Sequence, residues 1–532
     1  TILTGTNSYA GTTTISAGTL QIGNGGATGT LGSGVGNVVL SNGTNLVYNR
    51  NVDTVVNNAI SGNGNVSATI TGNLDVAKTI NLSTSGNTVN LTASGNVSQS
   101  AGSISATNLY LTATNGSIGT STNRINTSVS NLAMTSSGNQ FATQANALSL
   151  AARTTGTGNI DVKTTNGTLT ITSVNGINGV TATGSGTITL SGTSNTGGGL
   201  LALNTVAADT GKITLIGTAT GTNGTGLNIG YAATVTSNGD VDLTGTTTAN
   251  NRITGTYAGV INAGTVRGKN ISLTATAYDI AADVLGYYGA SGNLIATEKL
   301  KGEAESKGAG VGFYMYSGKT QSGTGMDIKG TGNRESGFGL DAGAQVLNKV
   351  TTGTASGDVV LTGYTNSSTH ASIGLYKATI ENTSTDGGIQ ITSTKGDILA
   401  NYSTASTISN AGSKTIALSA GPSAATDVGA IDGTKLTITQ NGNGGVEIKT
   451  SGTGNVTAPK IINNGTGNVI VAAGTAIGAG TGTGGQVKTV AGNTISQTNV
   501  STPGKAYIYT GNATDTGLLS NLSSSLDRKS VV

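Results

Sequence analysis

Two pairs of carboxylates have the spacing that acid–base chemistry on a polysaccharide would use. Asp240 and Asp242 are two residues apart, so they share one face if the segment is a strand. Asp427 and Asp432 fall in one segment that reads as a loop. Glycoside hydrolysis needs two acids facing one bond, and such carboxylates also hold calcium weakly. Solvated surface acids are the alternative interpretation, and the sequence has no tryptophan to support sugar binding.

His370, the single histidine, lies in the polar stretch NSSTHASIG. A Ser–His–Asp arrangement needs a nucleophile and a carboxylate beside the histidine, but serine is so frequent here that a match arises by chance. One histidine without any cysteine also argues against a zinc-type site. We therefore expect no catalytic residue, no metal and no cofactor, and we expect that the protein is not an enzyme.

The overall composition excludes several classes of protein. The formal net charge of +3 is spread thinly, so we expect no nucleic-acid partner. No apolar run approaches the roughly 18 residues of a membrane span. The absence of cysteine removes disulfides and suits a chain that crosses a membrane unfolded. Since the sequence starts at Thr1 without a signal-peptide pattern, we expect a mature or excised piece of a longer protein.

The elements that must position any site are short strands. Glycine accounts for 86 residues, charged residues for 9% and aromatic residues for 3%, so few amphipathic helices are expected. One unit recurs, as in GNIDVKT from Gly158, GTITLSG from Gly186 and GGIQITS from Gly387. Its two apolar residues face one side of a strand, and the residue between them is usually polar. The apolar pairs include Ile160 and Val162, Ile188 and Leu190, Val241 and Leu243, and Ile389 and Ile391.

The spacing of these units favours a β-solenoid. Copies recur about every 9–10 residues in places, which suits one strand plus a corner, and about every 18–30 residues in others, which suits a whole coil. A flexible linker would explain the polar composition, but it would scatter its apolar residues. A β-sandwich would explain the short strands, but one of this length would need several cores. Stacked coils need one narrow core, so we predict an all-β solenoid of about 20 coils with roughly 22–28 residues each.

One segment departs from this pattern between Tyr278 and Asn348. Charges collect in TEKLKGEAESK from Thr297, and a weaker register survives at Gly312–Phe313, Gly339–Leu340 and Gly374–Leu375. We interpret the segment as larger, irregular coils with a protruding loop. It is either an insertion that covers the surface or a contact patch, since tyrosine suits wet interfaces. The aromatic residues of the predicted contact patch are Tyr287, Tyr288, Phe313, Tyr314 and Tyr316, and Phe338 lies nearby.

Two resemblances to known families follow from longer stretches. Residues 3–32, which begin LTGTNSYAGTTTISAGTLQIGNGG, resemble the passenger-associated repeat of bacterial autotransporters. The matching positions are Leu3, Thr4, Gly5, Asn7, Tyr9, Gly11, Thr13, Thr14, Ile15, Gly18, Thr19, Leu20 and Gly23. LYLTATNGSIGTSTNRINTSVSNLAMTSSG from Leu109 and GKAYIYTGNATDTGLLSNL from Gly504 resemble exoproteins of the filamentous haemagglutinin type, which use two-partner secretion. These resemblances imply a right-handed parallel β-helix.

The same resemblances imply a protein of the extracellular space or outer surface of a Gram-negative cell, with a role in adhesion or biofilm. The leading hypothesis is a non-enzymatic adhesin or stalk. The alternatives are a self-assembling extracellular filament or matrix protein, and a polysaccharide-degrading enzyme. Expected partners are host or neighbouring-cell surfaces, glycans or extracellular matrix, further copies of the chain, and an outer-membrane transporter during export. The expected segments are the repeat and first coils at 1–40, β-helix at 41–276, irregular coils at 277–350, β-helix at 351–500, and a tail or next module at 501–532.

Overall fold

The computed structural model consists of β-strands joined by turns and contains no helix in the residues that it describes. It divides into two compact units, Thr1–Asp242 (unit 1) and Leu243–Val532 (unit 2). No helical stretch with the length and apolar character of a membrane span occurs in the described ranges. These ranges are 1–32, 36–82, 86–221, 223–248, 257–278, 284–333, 336–350, 354–367, 371–421, 429–474, 485–499, 501, 504–510 and 530–531.

Unit 1 is a stack of short strands that pair in parallel from one coil to the next. Its strands are β1 (Ile2–Leu3), β2 (Thr13–Ile15), β3 (Thr19–Ile22), β4 (Val38–Leu40), β5 (Asn45–Arg50), β6 (Thr54–Val56), β7 (Ile60–Gly62), β8 (Asn65–Ile70), β9 (Leu74–Val76), β10 (Ile80–Leu82), β11 (Thr88–Ala93), β12 (Val97–Ser98), β13 (Ile104–Ala113), β14 (Ile125–Ser136), β15 (Gln140–Gln144), β16 (Leu148–Thr154), β17 (Ile160–Thr164), β18 (Leu169–Ile171), β19 (Ser173–Val174), β20 (Ile177–Asn178), β21 (Val180–Ala182), β22 (Ile188–Ser194), β23 (Leu200–Ala202), β24 (Val206–Ala208), β25 (Ile213–Ala219), β26 (Leu227–Ile229) and β27 (Thr234–Ser237). The strand β28 (Val241–Thr247) contains the division between the units.

The register of unit 1 brings like residues onto neighbouring coils. Ile160 of β17 pairs with Ile188 of β22, which pairs with Ile213 of β25, and all three are buried. The only antiparallel pair among the described strands of this unit is the hairpin of β19 and β20, which packs against Ala133 and Ala151. The paired aliphatics predicted from the sequence therefore form the core of a parallel β-helix, whose right hand is the rule for parallel crossovers.

Unit 2 repeats a three-strand coil with little variation. Its strands are β29 (Ala258–Asn262), β30 (Thr265–Gly268), β31 (Ile271–Ala277), β32 (Leu285–Gly289), β33 (Asn293–Ala296), β34 (Leu300–Ser306), β35 (Phe313–Met315), β36 (Lys319–Ser322), β37 (Met326–Gly332), β38 (Phe338–Leu340), β39 (Gln345–Asn348), β40 (Val359–Thr365), β41 (Ile373–Leu375), β42 (Thr379–Asn382), β43 (Ile389–Lys395), β44 (Ile398–Leu399), β45 (Ser406–Asn410), β46 (Ile416–Ala420), β47 (Ile431–Asp432), β48 (Leu436–Gln440), β49 (Val446–Thr450), β50 (Val456–Thr457), β51 (Lys460–Asn463), β52 (Val469–Ala473), β53 (Val487–Lys488), β54 (Ile495–Gln497), β55 (Ala506–Thr510) and β56 (Ser530–Val531).

Every third strand of unit 2 stacks into one of three parallel faces. Face A contains β29, β32, β35, β38, β41, β44, β47, β50 and β53. Face B contains β30, β33, β36, β39, β42, β45, β48, β51 and β54. Face C contains β31, β34, β37, β40, β43, β46, β49, β52, β55 and β56. This arrangement confirms the predicted β-solenoid.

A column of buried amides runs along the inner side of face B where each strand ends. Asn348 Nδ2 donates to Asn382 Oδ1 at 2.9 Å, and Asn410 Nδ2 donates to Gln440 Oε1 at 3.0 Å. The side chains also bond the backbone of the adjoining turns, so they hold one corner of each coil. We call this column the amide ladder; its residues are Asn348, Asn382, Asn410, Gln440, Asn463 and Gln497, all buried.

The segment predicted as irregular coils with a protruding loop is regular where it is described. The charged stretch forms β34, whose inward residues alternate with outward Lys301, Glu303 and Glu305. β34 pairs in register with β31 and β37, so the charged stretch is a strand of the stack. A protruding loop elsewhere in the segment stays a prediction. Coils do lengthen along the chain: Asn45 pairs with Asn65, 20 residues on, whereas Met326 pairs with Val359, 33 residues on.

Candidate functional site

The predicted contact patch splits between the core and the surface. Tyr287 and Phe313 are fully buried. Their neighbours Tyr288 and Tyr314 point outward, because adjacent residues on a strand point to opposite sides. The Tyr287 and Phe313 rings stack with centroids 4.6 Å apart, and the Phe313 and Phe338 rings with centroids 5.1 Å apart. Burial raises the pKa of Tyr287 above its ordinary value. These two residues are structural, and their inclusion in a contact patch is wrong.

Tyr288 and Tyr314 occupy the outward positions next to that core stack on face A. They are partners on adjacent coils, and their rings stack nearly parallel, at 6°, with centroids 5.9 Å apart. The hydroxyl of Tyr314 donates to Asp341 Oδ2 at 3.1 Å. That carboxylate also accepts from the backbone N–H of Ala342 at 2.6 Å, which holds it in place beside the ring.

A second row of outward residues follows at the corner where each strand of face A ends. The backbone N–H groups of Tyr316, Asp341 and Tyr376 donate to the preceding coils, so these residues lie on three successive coils. Tyr402 follows, and its ring meets the Tyr376 ring edge-on with centroids 5.4 Å apart. Tyr316 is 49% and Tyr402 65% exposed, so this row faces solvent. We call Tyr288, Tyr314, Tyr316, Tyr376 and Tyr402, with Asp341, the tyrosine strip.

Two glycines make room for the rings of the strip. Gly339 and Gly374 continue the column of Tyr288 and Tyr314 on the next two coils. A Cβ on Gly339 would lie 2.9 Å from Cδ2 of Tyr314, and one on Gly374 would lie 2.8 Å from Cε2 of Tyr376. Real Cβ contacts are not that close, so the Tyr314 ring lies over Gly339 of the next coil and the Tyr376 ring over Gly374 of its own coil. The strip is therefore a packed surface of tyrosine rings that runs over successive coils.

Burial raises the pKa of three tyrosines of the strip. Partial burial raises the pKa of Tyr314, and the neighbouring Asp341 raises it further. The same two causes, in the same order, raise the pKa of Tyr376, and partial burial raises that of Tyr288. The surface thus combines flat aromatic faces, several hydroxyl groups and a single acid, which suits ligands with both C–H faces and hydroxyls.

The predicted carboxylate pairs are engaged elsewhere. Asp242 forms an ion pair with Lys212 at 2.5 Å. Asp432 accepts from the Thr434 side chain and from Asn401 Nδ2 at 3.0 Å. Within the described part of the chain, no cluster of three or more His, Cys, Asp or Glu side chains has the geometry of a metal site. Asp427 and His370 lie outside the described residues.

Comparison with known proteins gives one family match. Residues 1–22 match the family described as passenger-associated-transport-repeat. They contain β1, β2 and β3, and Leu3 of β1 pairs with Ile22 of β3, so the match covers the first coil. Comparison with curated proteins and comparison with solved structures give no match. The chain thus carries an autotransporter passenger repeat, a module of secreted or surface-exposed proteins of Gram-negative bacteria.

Part of the strip escapes sequence reasoning. Asp341, Tyr376 and Tyr402 lie 25 to 88 residues beyond Tyr314–Tyr316 in the chain, and only the register brings them together. The predicted pairing of Gly339–Leu340 with Gly374–Leu375 is correct. The predicted pairing of Gly312–Phe313 with Gly339–Leu340 is wrong by two residues, because Phe313 pairs with Phe338. Correct pairing places Tyr314 over Gly339, which is the signal that would have revealed the strip.

Proposed function

We propose that the protein is a non-enzymatic adhesin of the passenger type, which attaches to saccharides on host or neighbouring cells through the tyrosine strip. The repeat in the first coil supports a secreted or surface location. The single observation that carries the binding role is the solvent-facing row of tyrosines on consecutive coils of face A, with Asp341 between them.

The geometry of the strip suits a chain of sugar rings. Neighbouring coils are about 4.8 Å apart, so the strip from Tyr288 to Tyr402 extends over about 20 Å, a length that several linked sugar rings span. Aromatic faces pack against the C–H faces of sugars, and Asp341 and the tyrosine hydroxyls supply hydrogen bonds to sugar hydroxyls. The stacked, partly buried rings are already ordered, so little side-chain entropy is lost on binding.

The carboxylates support a role without turnover. The two acids of a glycoside hydrolase stand free on either side of one bond. Asp242 is instead paired with Lys212, and the strip offers Asp341 as its single acid. Attachment in a biofilm, two-partner secretion with an outer-membrane transporter, and self-association into filaments stay predictions; electron microscopy of the purified chain checks the last of these.

A glycan-array and cell-binding comparison of strip variants tests the proposal. The double variant Tyr316→Ala/Tyr402→Ala removes the two most exposed rings of the strip. The matched control is Tyr231→Ala/Tyr278→Ala, since both residues are exposed, at 83% and 45%, and lie outside the strip. Each stacked ring contributes about 0.5–1.5 kcal/mol, so we expect binding to weaken about tenfold or more in the strip variant alone. Equal binding by the two double variants would contradict the proposal.

A further inference from the structure

Face B of unit 2 carries a basic pocket that lies around the corner from the tyrosine strip. The pocket has a volume of about 300 Å³, at the small end of ligand sites, where one sugar ring fits. Tyr316 and Lys319 stand on either side of the corner, which turns at Gly318 with φ of 95°. The lining residues are Arg267, Ile295, Ala296, Thr297, Lys319, Gln321, Lys349 and Val350.

The floor of the pocket is an apolar side chain at an outward position. Ile295 pairs with Arg267 on the preceding coil and with Gln321 on the following coil. Although it points away from the core, it is only 8% exposed, because the longer polar side chains on either side rise around it. Gln321 Nε2 donates to the carbonyl of Lys349 at 2.7 Å, which ties the wall of one coil to the next.

The cations of this pocket are largely uncompensated. Among the residues that the structure describes, neither Arg267 nor Lys319 lies within ion-pair distance of a carboxylate. Lys349 lies 3.7 Å from Glu381 and is half exposed, so that pair is weak. Elsewhere on unit 2 most acids sit beside a lysine, as Glu298 does beside Lys269 and Glu303 beside Lys301. Other lysines of unit 2, such as Lys435 and Lys460, also have no ion pair in the described part of the chain. This pocket differs in that two such cations flank an apolar floor.

We propose that this pocket binds the carboxylate or sulfate group of an acidic saccharide. Arg267 offers a planar fork of donors to such an anion and Lys319 a second positive charge. Thr297 and Gln321 add neutral polar groups at the rim, and Ile295 packs against the C–H face of the sugar ring. A pocket with Arg267 and Lys319 as its cations suits an isolated acidic group, whereas a nucleic acid requires a longer basic stripe.

The inference rests on the proposed function, because it assigns the acidic group to the same class of saccharide that the tyrosine strip would hold. A branched or bent glycan reaches both surfaces around the corner at Gly318. The strip would then hold sugar rings of any charge, and the pocket would select those glycans that carry an acid.

Titration calorimetry on the full chain, with defined saccharides at low salt, tests this. The probes are trigalacturonate and a sulfated disaccharide as acidic saccharides, maltotriose as the neutral one, and inorganic sulfate. We expect acidic saccharides to bind at least about tenfold more tightly than maltotriose, with the preference falling as salt screens the charges. Arg267→Gln/Lys319→Gln should abolish the preference without weakening maltotriose binding. Lys435→Gln/Lys460→Gln, which removes the same charge from exposed sites outside the pocket, should retain it.

The outcomes separate the pocket from the strip. If the wild-type chain shows no preference for acidic saccharides, or the pocket variant keeps the preference, the inference is overturned. If inorganic sulfate competes as well as trigalacturonate at equal concentration, the pocket is a general anion site and the saccharide assignment is wrong. In one outcome Tyr316→Ala/Tyr402→Ala loses maltotriose binding while the pocket variant binds every probe as the wild type does. That outcome supports the proposed function and overturns the role of the pocket.

Discussion

The amide ladder of unit 2 predicts a large cost for the removal of a single buried side chain. Asn382 is 1% exposed and makes bonds in both directions. Its Nδ2 donates to the Gly388 carbonyl at 2.9 Å and to the Gly357 carbonyl at 3.2 Å. Its Oδ1 accepts from Asn348 Nδ2 at 2.9 Å and from the buried N–H of Ser384 at 3.0 Å. Asn382→Ala removes all four bonds.

The free-energy cost of Asn382→Ala depends on which partner groups lose their last hydrogen bond. Asn348 and both carbonyls keep other bonds, so each of those losses costs about 0.5 kcal/mol. The N–H of Ser384 is left without an acceptor in the core, which costs about 1–3 kcal/mol. Together the free energy of unfolding should fall by about 2.5–4.5 kcal/mol, a large part of a typical total stability.

Urea unfolding and hydrogen exchange measure this loss. Solenoids open in segments, so exchange of the amides in β39, β42 and β45 reports the affected coils directly. Asn441→Ala is the matched control, because Asn441 is an exposed asparagine whose side chain accepts from Asn464, and loss of that side chain should cost less than about 0.5 kcal/mol. Asn382→Gln keeps an amide, as Gln440 does naturally in the same column, and should lose less than Asn382→Ala.

Asn382→Leu separates hydrogen bonding from packing. Leucine fills the space of the amide but offers neither donor nor acceptor, so it should be about as unstable as Asn382→Ala. If leucine restores the stability and exchange protection of the wild-type chain, the ladder acts by filling volume and the hydrogen-bond reasoning is refuted.

Three further predictions concern face A. Phe313→Ala removes the middle ring of the core stack and should lower the free energy of unfolding by about 3–5 kcal/mol in thermal denaturation. Burial raises the pKa of Tyr287 above 10.0, so the contribution of its neutral side chain to folding stability is complete below pH 10 and is lost as the pH rises further. Tyr287→Phe has no group to ionise there and should therefore stay folded to higher pH than the wild type, as measured by circular dichroism. Gly374→Ala should displace the Tyr376 ring and weaken saccharide binding while changing thermal stability little, and unchanged binding would show that the ring position is immaterial.

The alternation of inward apolar and outward polar residues could be predicted because it recurs in each coil. Ile160 and Val162 lie two apart, and both are fully buried with Asp161 outward between them. The amide ladder was not predicted, although the face B strands QVLN, TIEN and STISN each end in an asparagine at the inward position. In the sequence alone, a polar residue at an inward position indicates the end of a strand. The register is needed to show that the neighbouring coils carry amides at the same position.

The aromatic segment shows why the remainder was harder to predict. The stretch LKGEAES alternates charged residues with small ones, but Gly302 and Ala304 are too small to mark a core face by themselves. The next coil shows why such positions stay small, because a Cβ on Gly330, the partner of Ala304, would lie 3.1 Å from Cβ of Phe313. Large rings on face A are matched by small residues on face C. Such complementarity connects separate strands and cannot be seen in the pattern of either strand alone.

The places where the repeat is broken are the places where a ligand can be recognised. A solenoid gains stability from identical neighbours, and a surface of identical neighbours offers no particular position to a ligand. The tyrosine strip interrupts the outward polar columns with rings, and Gly339 and Gly374 leave room for the rings of Tyr314 and Tyr376. The basic pocket interrupts face B with an outward Ile295 and with Arg267 and Lys319, which pair with no carboxylate in the described ranges. Both departures fall on neighbouring coils of unit 2, within Arg267 to Tyr402. The functional positions of a repetitive chain therefore lie in the columns in which one coil differs from the coils above and below it.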